Sequence, residues 1–230
     1  LTSIQGFSQA IKDGMTNDPE TIRRSAAIIF DESNRMGRMV SELLDLARIE
    51  SGQIVMRSEP VKIDQLVLSV VEKMALRAQQ SSIALDAQVP MDLPSINGDG
   101  DRLAQVFSNL IDNALKHTPA GGKVTVSARS LSGSSVMRRG KPWPGGVEVI
   151  VADTGSGIPP EDLARIFERF YQVDKSRARS SGGGSNLGLG LAIVKHIVVG
   201  HGGSIHAESV VGLGTKFVVT LPIARGAKPN

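Results

Sequence analysis

Asn109-Leu110-Ile111-Asp112-Asn113-Ala114-Leu115-Lys116-His117-Thr118 is the stretch whose reading decides the fold. It reads as a helix, and the four-residue step from Asn109 to Asn113 sets two carboxamides side by side on one face. Leu103, Val106 and Leu110 lie on another part of the same surface and can face a core. Two neutral oxygen donors, followed one turn later by a lysine, suit a magnesium–phosphate group. Magnesium takes hard oxygen ligands and is commonly held by a few protein groups plus substrate phosphates. On their own these residues fit a solvated amphipathic helix equally well.

Downstream, Val147-Glu148-Val149-Ile150-Val151-Ala152 is a β-branched run that reads as a buried strand. It delivers Asp153-Thr154-Gly155-Ser156-Gly157-Ile158-Pro159. A carboxylate there can accept from an adenine amino group, and glycines let another group approach the backbone. An Asp-containing turn after a strand is the plain alternative. Gly182-Gly183-Gly184-Ser185-Asn186-Leu187-Gly188-Leu189-Gly190-Leu191 opens directly into an apolar helix. Amides at a helix start form a ready phosphate site; a flexible surface loop would look the same. Gly212-Leu213-Gly214-Thr215 precedes a strand, and a simple turn explains it without any ligand.

Together and in this order these pieces resemble the catalytic ATP-binding domain of bacterial sensor histidine kinases, a relative of type II topoisomerases, Hsp90 and MutL. Asn109 to Thr118 resembles the asparagine box, and Asp153 to Ile158 the first glycine box. Phe167-Glu168-Arg169-Phe170-Tyr171 resembles the phenylalanine box. Gly182 to Leu191 resembles the second glycine box, and Gly212 to Thr215 the closing glycine–threonine turn. The resemblance covers nearly the whole chain. It implies an α+β protein: a helical hairpin, half of a dimeric four-helix bundle, followed by an α/β sandwich of the histidine kinase/Hsp90/topoisomerase ATP-binding type.

The resemblance also implies ATP and magnesium as cofactors. The implied nucleotide site comprises Asn109, Asn113, Lys116, His117, Asp153, Gly155, Gly157, Ile158, Phe170, Tyr171, Gly188, Leu189, Gly190 and Thr215. Asp153 would accept from adenine, Gly155 and Gly157 would admit the base, and Asn109 and Asn113 would hold magnesium. Lys116 and His117 would offset phosphate charge, and the amides around Gly188 and Gly190 would cradle the phosphates beneath a lid, Gln172 to Leu187. Asn109 and Lys116 carry the catalytic assignment. The implied activity is transfer of the γ-phosphoryl group to a protein histidine for relay to a response-regulator aspartate. In ATP-hydrolysing relatives a glutamate commonly stands at the place of Asn109 and activates water. Asparagine cannot be a general base at neutral pH, so slow hydrolysis is expected. Asn186 departs from the family's usual glycine; asparagine tolerates a left-handed backbone better than most residues.

At the start of the chain, Ile22, Ala26, Ile29, Ser33, Met36, Val40, Leu43 and Ala47 alternate four and three apart, a heptad seam. Asn17 or Asp18 can cap the helix, Pro19 fits its first turn, and Gly52 is a plausible stop. The seam suits a helix packed inside a monomer or a hairpin paired with a second copy. Leu43 to Gly52 resembles the end of the family's dimerisation and phosphotransfer domain, which favours the homodimer. The domains expected are 1–52 (hairpin), 53–60 (connector), 61–224 (ATP-binding) and 225–230 (tail). Leu1-Thr2-Ser3-Ile4 resembles the end of the phosphoacceptor box, so the acceptor histidine is expected to be missing from this fragment. Of the four histidines, His117 belongs to the asparagine box, while His196, His201 and His206 lack the acceptor context. A lone histidine of this kind is more often structural or surface polar than catalytic.

A chain of 230 residues allows one or two domains with a sizeable core. It has no long apolar segment and no signal-peptide pattern at its start. The absence of cysteine removes disulfides and thiolate metal sites. A net charge of only +3 is too small and too dispersed to argue for nucleic acid, and none is expected as a partner. Lys175, Arg177 and Arg179 gather near the glycine-rich loop, where they suit either a polyanionic nucleotide or plain solvent. The resemblance implies a response-regulator receiver domain as partner and a cytoplasmic portion, without membrane contact of its own, of an inner-membrane protein. Two other classes stay open: an ATP-hydrolysing conformational machine of the same superfamily and a non-catalytic docking module.

Strands are expected at Glu59–Val61, Ile83–Ala87, Lys123–Arg129, 147–153, Ser204–Ser209 and Lys216–Leu221. Helices are expected over Asp64–Gln80 and Gly98–Lys116, from Pro160, and after the glycine-rich loop. Asp99 or Asp101 stands near the start of the asparagine-bearing helix. Leu131 to Gly146, rich in Gly, Ser and Pro and holding Trp143, reads as a surface hairpin loop.

Overall fold

The structure is a computed structural model that describes residues 2–15, 18–50, 56–138, 141–143, 145–173 and 187–223. The described residues form two compact units, one built on residues 2–50 and the other on residues 56–173 and 188–223.

The first unit is a helical hairpin of α1 (Thr2–Lys12) and α2 (Pro19–Glu50). Asp18 is the cap of α2: its Oδ2 accepts from the Thr21 backbone N–H at 2.9 Å and from the Thr21 hydroxyl at 2.6 Å. These bonds hold the Asp18 carboxyl below its usual pKa. Pro19 then fits the first turn, where its missing N–H costs nothing. At about 1.5 Å per residue, α2 is roughly three times as long as α1, so one chain covers only part of it. Ser25 is buried and Ile22, Ile28, Ile29, Met36 and Met39 are half-buried. The seam residues Ala26, Ser33, Val40, Leu43 and Ala47 are exposed in the single chain, as are Phe30 and Leu44. The heptad reading therefore holds for helix formation, but only part of its seam faces α1. Gly52 lies outside the described residues.

The second unit begins with β1 (Glu59–Val61), α3 (Ile63–Gln80), β2 (Ala84–Gln88), β3 (Ile96–Gly98) and α4 (Gly100–His117). Then come β4 (Lys123–Leu131), β5 (Ser134–Arg138), β6 (Lys141–Trp143), β7 (Gly146–Asp153) and the short α5 (Pro160–Leu163). It ends with α6 (Gly190–Gly200), β8 (Ser204–Val210) and β9 (Gly214–Pro222). Five strands form a mixed sheet in the order β2-β4-β7-β9-β8. β2 pairs parallel with β4, and the other neighbours are antiparallel.

Alternation sets the buried face. Val124, Val126 and Ala128 of β4, Val147, Val149 and Val151 of β7, and Phe217, Val219 and Leu221 of β9 are all buried. Against them packs a helix layer with α4 between α3 and α6. Leu103, Val106, Phe107, Leu110 and Ile111 of α4 are fully buried. This is the α/β sandwich expected from the sequence. Helices α4 and α6 run antiparallel, because the Asp99 N–H at the head of α4 donates to His201 Nε2 at the end of α6 at 2.9 Å. Asp99, rather than Asp101, caps α4, its Oδ1 accepting from the Arg102 N–H at 3.1 Å.

The structure departs from the sequence reading in two places. The segment 131–146 is more than a loop: β5 and β6 pair antiparallel within it. β5 (Ser134-Ser135-Val136-Met137-Arg138) has no apolar–polar alternation, and β6 is three residues with a central proline, so neither carried a strand signal. β3 pairs antiparallel with β1 and was not expected, because three residues carry no periodic signal.

Candidate functional site

The site grows from the end of β7. Asp153 is the strand's last residue, paired with Val124, and only 9% exposed. Its Oδ1 accepts from the Gly155 N–H at 2.8 Å and the Thr215 N–H at 3.3 Å. Among the described residues no hydrogen bond is made to Oδ2. Burial raises the Asp153 pKa; the bonds from Gly155 and Thr215 and the nearby His117 pull the other way without overcoming it.

Three sequence-distant segments are tied together here. The His117 carbonyl, at the last turn of α4, accepts from the Ser156 N–H at 3.3 Å. A Cβ on Gly155 would run into that same carbonyl, so only glycine lets the helix end lie this close to the Asp153 loop. Gly157 has φ +71°, and a Cβ there would strike the Val210 carbonyl. The Gly212 N–H donates to the Ser156 carbonyl at 2.8 Å. Ser209 Oγ accepts from the Ile158 N–H at 2.8 Å, donates to the Gly214 carbonyl at 2.9 Å and lies 2.9 Å from Thr215 Oγ1. The asparagine-bearing helix, the Asp153 loop and the glycine–threonine turn thus form one hydrogen-bonded cluster.

Asn113 stands one turn before this junction and Asn109 two turns before it, both half-buried. Among the described residues neither carboxamide is hydrogen-bonded. Lys116 Nζ pairs with Asp112 Oδ2 at 2.7 Å, and Arg77 of α3 pairs with the same carboxylate. His117 is exposed overall, yet the protein packed beside its ring pushes its pKa down; Asp153 opposes this, Lys116 reinforces it and Asp112 opposes it.

A second group forms at the start of α6. Leu189 is fully buried, and Gly188, at φ +71°, accepts through its carbonyl from the Phe170 N–H at 3.0 Å. Phe170 itself holds φ +61° and is 56% exposed. A bulky residue in the left-handed region is strained. The Tyr171 hydroxyl donates to Asp162, and the Arg165 guanidinium lies 4.3 Å over its ring. The bond to Asp162, burial and the Asp162 charge raise the Tyr171 pKa; Arg165 opposes them and Glu168 adds to them. Antiparallel packing of α6 on α4 places Gly190 toward the Asn113 half of α4. Of the expected lid, residues 174–186 lie outside the described residues, and with them Lys175, Arg177, Arg179, Gly182, Gly183, Gly184, Ser185 and Asn186.

Residues 98–225, which hold this whole cluster, match the family "Histidine kinase-, DNA gyrase B-, and HSP90-like ATPase". Residues 1–52 match "His Kinase A (phospho-acceptor) domain".

The chain belongs to the sensor histidine kinase family.

Sensor protein SrrB of Staphylococcus aureus is 34% identical over 225 residues, covering 96% of this chain and 35% of the relative. This chain therefore spans about a third of the length of the curated relatives it matches. Among solved structures, full-length ShkA in complex with AMPPNP superposes with a TM-score of 0.74 at 30% identity, covering 99% of this chain and 44% of that one. The histidine kinase ThkA, solved in complex with the response regulator protein TrrA, shares the fold at a TM-score of 0.72 and 24% identity, covering 99% of this chain and 58% of that one.

The kinase fold brings Asp153, Gly155, Gly157, Ile158, Thr215 and His117 into one cluster, with Asn113, Asn109 and Lys116 on the helix leading to it. It brings Phe170 and Tyr171 to Gly188, which Leu189 and Gly190 follow in the chain. Sequence reading missed Ser209, Asp112, Arg77 and Asp162. Asp112 stood inside the quoted helix, four residues before Lys116, and that spacing was the available signal. Ser209 gave none: two of its hydrogen bonds close the β8–β9 hairpin and the third reaches Ile158, 51 positions away.

Proposed function

We propose that this chain is the kinase core of a two-component sensor: it binds Mg-ATP at the Asp153–Asn113 site and directs the γ-phosphoryl group to a histidine of the paired helical domain. The observation carrying this is the half-satisfied Asp153. One carboxylate oxygen is fixed by two backbone N–H groups, which leaves the other to accept from the exocyclic amino group of adenine. The base enters over Gly155 and Gly157, with Ile158 beside it, and Thr215 holds the carboxylate from behind. The phosphates extend toward the start of α6, where the amides at Gly188, Leu189 and Gly190 receive them. Phe170 and Tyr171 brace that loop from its other side.

The donor set fits magnesium. Asn109 and Asn113 offer neutral hard oxygens one turn apart, and no cluster of three or more His, Cys, Asp or Glu stands among the described residues. Such a site holds magnesium only together with phosphate oxygens. The ion would neutralise phosphate charge there. Lys116, released from Asp112, and His117 add to that neutralisation. Phosphoryl transfer asks the protein mainly for positioning and charge stabilisation. Asn109 supplies no general base for water, which directs the group to a protein acceptor.

Melting in saturating Mg-ATP tests the reading. A ligand that binds only the native state at about 100 times its Kd adds about 2.7 kcal/mol of stability. The melting temperature is expected to rise; an unchanged value would favour a docking module without nucleotide.

None of the four histidines has the acceptor context. Incubated alone with labelled ATP, these 230 residues are expected to gain no stable phosphohistidine by mass spectrometry. Stable phosphate on any of His117, His196, His201 or His206 would contradict the assignment of the acceptor.

The reading extends to partners. The apolar residues exposed on one copy of α2, Val40, Leu43 and Leu44, suit burial against a second copy. A response-regulator receiver domain would take the phosphoryl group onward. No helix among the described residues is long and apolar enough to cross a membrane. We place the fragment on the cytoplasmic side of an inner-membrane parent.

A further inference from the structure

His201 holds together the far ends of the two helices that carry the site. Its Nδ1 lies 2.7 Å from the Ile197 carbonyl, and its Nε2 accepts from the Asp99 N–H at 2.9 Å. A carbonyl only accepts, so Nδ1 carries the proton. A backbone N–H only donates, so Nε2 is bare. The ring is therefore neutral and in the Nδ1–H form. It bridges the last turn of α6 to the residue that caps α4.

The surroundings are built to keep the ring there. A Cβ on Gly98 would come within 2.5 Å of His201 Cδ2 and 2.9 Å of Nε2, so glycine is what allows the imidazole to approach the chain this closely. Asp99 fixes the other side: its carboxylate accepts from the Arg102 N–H at 3.1 Å and from the Arg57 N–H at 3.3 Å. Burial works to raise the Asp99 pKa, but these bonds and the charge of Arg102 lower it overall. The Asp99 N–H is thereby held in one direction, toward the histidine.

We propose that His201 is a positioning residue for nucleotide binding: its neutral ring sets the angle between α4 and α6, and so the spacing between the Asn109–Asn113 carboxamides and the glycine-rich start of α6. This rests on the nucleotide reading above. Leverage makes the far end matter. Helix α6 has 11 residues, about 16 Å at 1.5 Å per residue, so a tilt of about 5° at His201 displaces Gly190 by about 1.4 Å. The magnesium-facing and phosphate-facing groups sit on different helices, and only their mutual spacing makes them one site.

The test uses the 230-residue chain with Mg-ATP as probe. Long-range nitrogen–proton spectra of the imidazoles in the wild type should show His201 as the Nδ1–H tautomer. Titration calorimetry then compares wild type, His201→Phe and His201→Gln. Phenylalanine keeps a ring without its hydrogen bonds; glutamine can donate to Ile197 and accept from Asp99. The Phe variant is expected to bind about tenfold more weakly, one or two neutral hydrogen bonds' worth, and Gln is expected to recover most of that loss. An Nε2–H tautomer, or a Phe variant that binds as the wild type does, overturns the role of His201 alone. A wild type that binds no Mg-ATP overturns the nucleotide reading and this proposal with it.

Discussion

Asp153→Asn is expected to weaken Mg-ATP binding by about ten- to a hundredfold while leaving the fold at least as stable. The side chains have the same shape. The asparagine carbonyl oxygen can still accept from Gly155 and Thr215, as Oδ1 does. The amide nitrogen then replaces Oδ2 and presents a donor where adenine also presents one. Hydrogen bonds to a charged group contribute about 1.5–3 kcal/mol, which sets the expected loss. Stability moves the other way. The folded pKa of Asp153 is raised above its ordinary value of 3.8, chiefly by burial. Below that value the carboxyl is neutral in both states and its contribution is complete. As pH rises through the raised folded value, charging the buried group removes that contribution. The asparagine variant has no such loss, so its stability relative to wild type should climb across that window and then level off. Calorimetric titration and thermal melts from about pH 3.5 to 8 check both parts. A variant that loses binding only because it unfolds would defeat the account.

Gly155→Ala is expected to be the more destructive change. The added methyl meets the His117 carbonyl, backbone against backbone, with no flexible side chain to give way. Overpacking of this kind costs about 1–3 kcal/mol. The strain falls between the end of α4 and the Asp153 loop, so the Ser156–His117 bond at 3.3 Å should break first. Both ends of the proposed nucleotide site then separate. Lower melting temperature together with loss of Mg-ATP binding is the expected result. Full binding would show that the contact between helix and loop does not organise the site.

Much of this was legible in the sequence for local reasons. The period of α4 and the β-branched run of β7 are each set by residues adjacent in the chain. So are the glycines that follow Asp153. The position of Asp153 at the end of a buried strand follows from that run alone. Long-range geometry was hidden. Nothing near Ser209 announces that its hydroxyl joins the Ile158 loop to the glycine–threonine turn, and nothing near His201 announces Asp99. His201 read as a structural or surface histidine, and it is structural, but its partner lies 102 positions away. β3 and the β5–β6 pair were missed because strands of three to five residues carry little or no alternation. The heptad of α2 was read as one seam; the hairpin partner covers only part of it, because α1 is much the shorter helix.

The central claim is that the free oxygen of Asp153 receives an adenine. Guanine presents a carbonyl at the place of the adenine amino group, so paired calorimetric titrations with Mg-ATP and Mg-GTP test it directly. Mg-ATP should bind at least about tenfold more tightly, since a buried acceptor facing another acceptor goes unpaired. Equal affinity for the two nucleotides, or no heat with Mg-ATP on folded protein, would contradict it.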